Sequence, residues 1–283
     1  MRMFHLLAPL ASLVLCAAPA STEFALTSAD GYALKGTLTL PEAKGKVPVV
    51  ILAHQFRANR EGWAPLAERL AARGIGTLAL DLRGHGASTQ KNGVETPVTS
   101  DFLASAKAVG FDQIPSDLAQ AAAWLRKQKG VDGRRIGLAG SSIGGLSVIL
   151  AASEVKPVAI LSLSPAGNGA FGGDTREKLK SAVLRSRAST LVLAGYGDKE
   201  AYENASSLKD LPGVTLRIAD GDDHGFAFFK ERAEFMAVFL GEYLTYHHTG
   251  KTYGAPVPKK AAESGAVIND KTVASKKAAE APK

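Results

Sequence analysis

Cysteine is all but missing: Cys16 is the only one in 283 residues. That excludes an intrachain disulfide framework and any zinc site built on thiolates. Histidine is scarce as well, with six. No His or acidic pair shows helical i, i+4 or close ligand spacing with a third ligand, so neither a metal nor another cofactor is expected. Apolar runs are short, and none reaches the roughly 20 residues that a spanning helix needs. The best candidate, Leu6 to Ala18 within "MRMFHLLAPLASLVLCAAPASTEF", is interrupted by Pro9.

That segment instead has the layout of a removed secretory leader. Arg2 comes first, then the apolar run, then Ala18-Pro19-Ala20 in the small-x-small arrangement of a signal-peptidase site. A lipid anchor on Cys16 is disfavoured by the large Leu15 before it. Cleavage after Ala20 leaves a mature chain with no cysteine and no integral membrane span, exported to a periplasm or secreted.

The formal charge of +7 invites a nucleic-acid reading until it is divided by region. Residues 249 to 283 hold seven Lys against three acids, Arg2 sits in the leader, and residues 21 to 248 keep only +2. Nothing basic is left in the middle to hold nucleic acid. The tail, "GAPVPKKAAESGAVINDKTVASKKAAEAPK" from Gly254, is rich in Ala, Lys, Pro and Ser without apolar periodicity. Such a segment buries too little surface to offset ordering and is expected to be a disordered appendage. Weak contact with an anionic surface or a polymer is a secondary expectation.

From 22 to 248 short β-branched or apolar runs alternate with helical patterns, the signature of a mostly parallel sheet with helices on both faces. "TEFALTS" and "YALKGTLTL" (22 to 28, 32 to 40) alternate around Asp30-Gly31 and predict an N-terminal antiparallel hairpin. Buried-type strands are expected at 47 to 54, 75 to 81, 134 to 140 and 157 to 164, with two more at 189 to 195 and 214 to 220. Helical spacing occupies 63 to 73, 115 to 129, 143 to 153, 174 to 187, 199 to 210 and 226 to 246. The long irregular stretch 86 to 112 reads as a functional flap or a partly helical segment. With no room for a cap domain between 164 and 189, one domain over 21 to 248 is expected.

Chemistry concentrates at "GLAGSSIGGLSVIL", 137 to 150. Gly140-Ser141-Ser142-Ile143-Gly144 is a Gly-x-Ser-x-Gly pattern between a strand and an apolar helix, the setting in which the central serine stands at the tip of a sharp turn. A glycine-rich turn that binds phosphate, or nothing, is the plainer alternative. A Walker loop is unsupported: no Gly-Lys-Ser/Thr follows here, and Gly250-Lys251-Thr252 has Thr245 where the first glycine should be.

A serine nucleophile needs a base, and the base needs an orienting group. His224 in "ADGDDHGFAFF" and Asp198 in "LVLAGYGDKE" follow later strands, where a doubly wound sheet carries its functional loops. Asp220, Asp222 and Asp223 rival Asp198, but they share a loop with His224 and approach its ring less easily. The chain order Ser142, Asp198, His224 is that of the α/β-hydrolase fold.

With "LAHQF", "DLRGHGAS", "GSSIG", "GYGD" and "DHG" in this order, residues of about 30 to 246 resemble an α/β-hydrolase of the dienelactone-hydrolase and prolyl-oligopeptidase-like group. The resemblance implies a nucleophile at Ser142, an acid at Asp198 and a base at His224. It also implies an oxyanion hole from the N–H of Ile143 and one N–H after the third strand, assigned to Phe56 by the "HGF" pattern with Gln55 as second choice. Two departures stand out. Dienelactone hydrolases proper carry cysteine at the position of Ser142, which argues against dienelactone, and many members have His-Gly where this chain has His54-Gln55.

The expectation is thus an exported serine hydrolase of small carboxylic esters. A peptidase acting on short peptides and a non-catalytic binding protein of the same fold are the alternatives. His54 and His85 are expected to shape turns, Asp81 and Arg83 to form a structural ion pair. Phe56, Trp63, Phe102, Phe111, Phe226 and Phe228 are expected to line an acyl pocket or to belong to the core.

Overall fold

A computed structural model describes residues 20–172 and 174–245. The expected leader, apart from Ala20, and the expected tail from 249 lie outside the described residues.

The chain opens with an antiparallel hairpin, β1 (Ala20–Thr27) and β2 (Ala33–Leu40). Its turn is held by Ser28, whose hydroxyl donates to Asp30 and accepts from Tyr32 N–H. Gly31 stands there at φ +92°, where a Cβ would strike the Asn92 side chain. After the hairpin come β3 (Val47–Ala53), α1 (Ala64–Ala71) and β4 (Gly76–Asp81). The stretch from 86 to 112 contains a two-residue hairpin, β5 (Gln90–Lys91) with β6 (Val94–Glu95), and a helix, α2 (Phe102–Val109). Then follow α3 (Ile114–Leu125), β7 (Val131–Ser141), α4 (Ile143–Val155), β8 (Ala159–Leu163), α5 (Thr175–Ser186), β9 (Ser189–Gly195), α6 (Lys199–Ser207), β10 (Val214–Ala219) and α7 (Phe229–Thr245).

The main sheet runs β1-β2-β4-β3-β7-β8-β9-β10. Only the β1–β2 and β2–β4 pairings are antiparallel; from β4 to β10 all neighbours are parallel. This is the α/β-hydrolase fold, with a mostly parallel sheet and an antiparallel edge. Burial explains the strand sequences: every residue of β3 is buried, as a central strand covered on both faces requires.

Helices cover both faces. One core gathers apolar side chains of α2, α3, α4 and α5; the other gathers those of α1 and α7. Helix α4 is apolar around most of its circumference and is correspondingly buried against the sheet, α3 and α5. Helix α7 buries Ala233, Met236, Ala237, Leu240, Gly241 and Leu244, one face at three- and four-residue spacing. The helical pattern from 226 resolves into a 3-10 turn, Gly225–Phe228, followed by α7. Gly225 has φ +56°, which a regular helix cannot continue through.

Asp81 and Arg83 do not pair with each other, which corrects the expected ion pair. The Asp81 carboxylate accepts from the N–H groups of Arg60 and Ala87 and so pins the turns on either side. The guanidinium of buried Arg83 reaches Asp117 and Asp30 instead, and it also donates to the carbonyls of Val109 and Gly110 at the end of α2. The flap helix is thereby tied to the core.

Candidate active site

The parallel register brings the C-terminal ends of β3, β7, β9 and β10 to one edge of the sheet, where an α/β sheet carries its site. β7 ends at Ser141 and α4 begins at Ile143, so Ser142 alone makes the strand-to-helix turn. It does so at φ 55° and ψ −118°, a conformation that costs a non-glycine residue about 1–3 kcal/mol. The flanking glycines are sterically required. A Cβ on Gly144 would lie 2.1 Å from the Ala53 carbonyl oxygen, and one on Gly140 would lie 2.1 Å from the Gly144 carbonyl oxygen. The elbow itself is fixed by Ser142 N–H donating to Leu163 O at 2.8 Å.

The two adjacent serines differ. Ser141 is fully buried and its hydroxyl donates to Gln55 Oε1 at 3.0 Å. Ser142 is partly exposed at the tip, and its hydroxyl has no hydrogen-bond partner among the described residues.

The loops after β9 and β10 run side by side, with Tyr196 N–H donating to Ala219 O and Gly197 N–H to Gly221 O. That contact sets His224 Nδ1 at 2.6 Å from Asp198 Oδ2. Asp198 occupies the N-cap position of α6, yet its side chain does not cap the helix. A capping aspartate typically contributes about 1 kcal/mol, so the carboxylate has been diverted from a favourable local role. Asp220, Asp222 and Asp223 are exposed and make no hydrogen bond to the ring. With Nδ1 committed to a carboxylate, the neutral ring carries its lone pair on Nε2.

The N–H of Ile143 is the first of α4, and those of Gln55 and Phe56 lie in the loop after β3; none has a partner among the described residues. The positive end of the α4 dipole adds to the Ile143 donor.

His54 and His85 are buried neighbours, with ring centroids 5.0 Å apart. His54 Nε2 accepts from Leu82 N–H, so its Nδ1 carries the proton and donates to Gln55 O. Burial, reinforced by the His85 ring, pushes the His54 imidazole from 6.5 down to about 3. Burial lowers His85 too. Both rings are neutral supports that shape this loop.

Five of the six aromatic residues expected near the site fall into two groups. Phe56, Phe102 and Phe111 meet edge-on or tilted, at centroid distances of 5.2 to 6.0 Å, between the β3 loop and α2. Trp63 and Phe226 form a second group with Phe229. Trp63, Phe111 and Phe228 are buried core residues. Opposite α2, the loop after β8 is braced by Glu200, which accepts from Gly167 and Asn168 N–H, and by a reciprocal amide pair between Asn168 and Asn204. Neither the brace nor the Gln55 carboxamide is visible in the sequence. Gln55 and its partner Phe226 are 171 residues apart.

No cluster of three His, Cys, Asp or Glu suited to a metal ion occurs among the described residues, and no described helix is long and apolar enough to cross a membrane.

Residues 50–267 match the Alpha/beta hydrolase family. The chain belongs to that family. This alpha/beta hydrolase is 28% identical over 214 residues to thiohydrolase aneE of Aspergillus aculeatus, a match covering 74% of this chain and 62% of that protein. The chain thus spans less than two thirds of that relative's length. Among solved structures, acetyl xylan esterase 1 from Thermoanaerobacterium superimposes with TM-score 0.63 at 20% identity, covering 84% of this chain and 86% of that one. Dienelactone hydrolase from Anabaena variabilis gives 0.55 at 22% identity, covering 81% and 98%. These likenesses are to the fold.

Proposed function

We propose that this alpha/beta hydrolase is an exported serine hydrolase that cleaves small carboxylic esters through an acyl-enzyme. The observation that carries the reading is the 2.6 Å contact between His224 Nδ1 and Asp198 Oδ2, in a loop that the Gln55 side chain links to Ser141, the neighbour of the strained Ser142. The leader-like N-terminus supports export.

In the first half-reaction the Ser142 hydroxyl proton passes to His224 Nε2 as Oγ bonds to the acyl carbon. The negative charge on the tetrahedral oxygen is met by the Ile143 N–H and by that of Phe56 or Gln55; losing one such donor typically costs about 3–4 kcal/mol of barrier. The imidazolium then returns its proton to the departing alkoxide. In the second half a water gives its proton to His224 and attacks the acyl carbon, and Ser142 Oγ leaves with that proton. Asp198 holds the ring and stabilises the imidazolium throughout.

The test is fluorophosphonate labelling of wild type, Ser142→Ala and Ser141→Ala, together with acid release from short-chain esters. A thioester belongs in the panel because one relative is named a thiohydrolase. Labelling and turnover lost in Ser142→Ala and kept in Ser141→Ala are expected. Folded wild type that neither labels nor turns over any of these substrates would overturn the reading in favour of a binding protein.

A further inference from the structure

The Gln55 side chain joins the nucleophile strand to the histidine loop. Its Oε1 accepts from Ser141 Oγ at 3.0 Å and from Phe226 N–H at 3.0 Å. A backbone N–H can only donate, so the oxygen must be the atom that faces Phe226. Gly225, between His224 and Phe226, stands at φ +56°, and this bridge fills the space where a side chain would be. A Cβ there would lie 2.2 Å from Gln55 Oε1 and 2.4 Å from Ser141 Oγ. The Gly225 N–H is held as well, donating to buried Ser164 Oγ at 3.0 Å. The two amides that follow His224 are thus anchored by side chains from β-strand ends, while Asp198 anchors the ring itself.

We infer that Gln55 is a positioning residue for His224: its carboxamide oxygen holds the His224–Phe226 segment against Ser141 and so sets where the imidazole stands relative to Ser142. The inference rests on the reading of His224 as the base. Without the acceptor, the permissive backbone of Gly225 lets the loop shift, and Ser141 Oγ and Phe226 N–H each lose their partner. A displacement of about 1 Å in a catalytic group can cost on the order of 100-fold in rate.

The experiment compares Gln55→Met, which keeps the length and removes the acceptor, with Gln55→Glu, which restores an oxygen for both donors. Circular dichroism and thermal unfolding first select folded protein. On an ester that wild type cleaves, Gln55→Met is expected to lower kcat roughly 10- to 100-fold with KM within about twofold. Gln55→Glu is expected to recover most of that loss.

Long-range 1H–15N spectra read the His224 ring without turnover. A single Nδ1–H form is expected in wild type and Gln55→Glu, and an altered or averaged signal in Gln55→Met. Wild-type kcat in Gln55→Met, or an unchanged ring signal, overturns the positioning role even where the esterase reading stands. If wild type cleaves no ester but the ring responds as described, the esterase reading fails and the positioning role is upheld.

Discussion

Arg83 and Asp117 form a buried two-point ion pair: Nε meets Oδ2 and Nη2 meets Oδ1, each at 2.7 Å, with Arg83 only 1% exposed. Asp30 takes the other edge of the same guanidinium, and Tyr32 lies under it at 5.0 Å. The group therefore joins the N-terminal hairpin, the end of α2 and helix α3.

Breaking this pair from one side should be severe. Arg83→Met leaves the Asp117 carboxylate buried without a counter-charge, a situation that typically costs about 3–5 kcal/mol. Urea unfolding should show that loss. The double variant Arg83→Met/Asp117→Leu should regain a large part of it, and strictly additive losses would refute the coupling.

Acid should act on His54. Its ordinary value of 6.5 falls to about 3 in the folded protein because of burial and then the His85 ring. The unfolded chain therefore binds the extra proton between these limits and the folded one does not. Stability is full above about 6.5 and declines as pH falls toward 3. His54→Gln retains an acceptor for Leu82 N–H and cannot titrate. Its urea midpoint should fall less than that of wild type between pH 7.5 and 5, and parallel declines would refute the assignment.

The elbow stores backbone strain that a substitution can release or increase. Ser142→Gly places at φ 55° a residue that adopts this conformation freely and should raise the unfolding free energy by about 1 kcal/mol or more, whereas Ser142→Ala should not. Gly144→Ala presses a Cβ to 2.1 Å from the Ala53 carbonyl oxygen and should destabilise by about 3 kcal/mol or prevent folding. Calorimetry of the three variants checks both signs.

Much of this architecture is local in sequence. The strand β3 is a continuous apolar run because both its faces are covered, and the β1–β2 hairpin alternates around a turn pair. Even α2 carries its stops in plain view: Asp101 caps its start by accepting from Ala104 N–H, and Gly110 ends it at φ 78°. Eight residues inside a longer polar stretch gave too little periodicity to separate it from a loop. Pairings across distant elements were not legible. Arg83 finds Asp117 and Asp30 rather than nearby Asp81 because α3 and the hairpin turn converge on it only in the folded chain. The Gln55 bridge is of the same kind, since it requires β3 and the histidine loop to be adjacent already.

Asp198 should show opposite signatures in activity and stability. Asp198→Asn replaces the acceptor-only carboxylate that commits Nδ1 to its proton with a carboxamide, whose NH2 can donate to Nδ1 and select the wrong tautomer. In Ser-His-Asp hydrolases that change typically costs about 10⁴ in kcat. The same substitution leaves α6 no worse capped, since the Asp198 side chain makes no capping hydrogen bond to begin with and Asn is as good an N-cap residue as Asp. The variant should therefore unfold within about 1 kcal/mol of wild type while losing nearly all turnover. Ester kinetics and urea unfolding of one preparation check it: a comparable loss in both would make Asp198 a structural anchor of the loop, and full turnover would remove it from the chemistry.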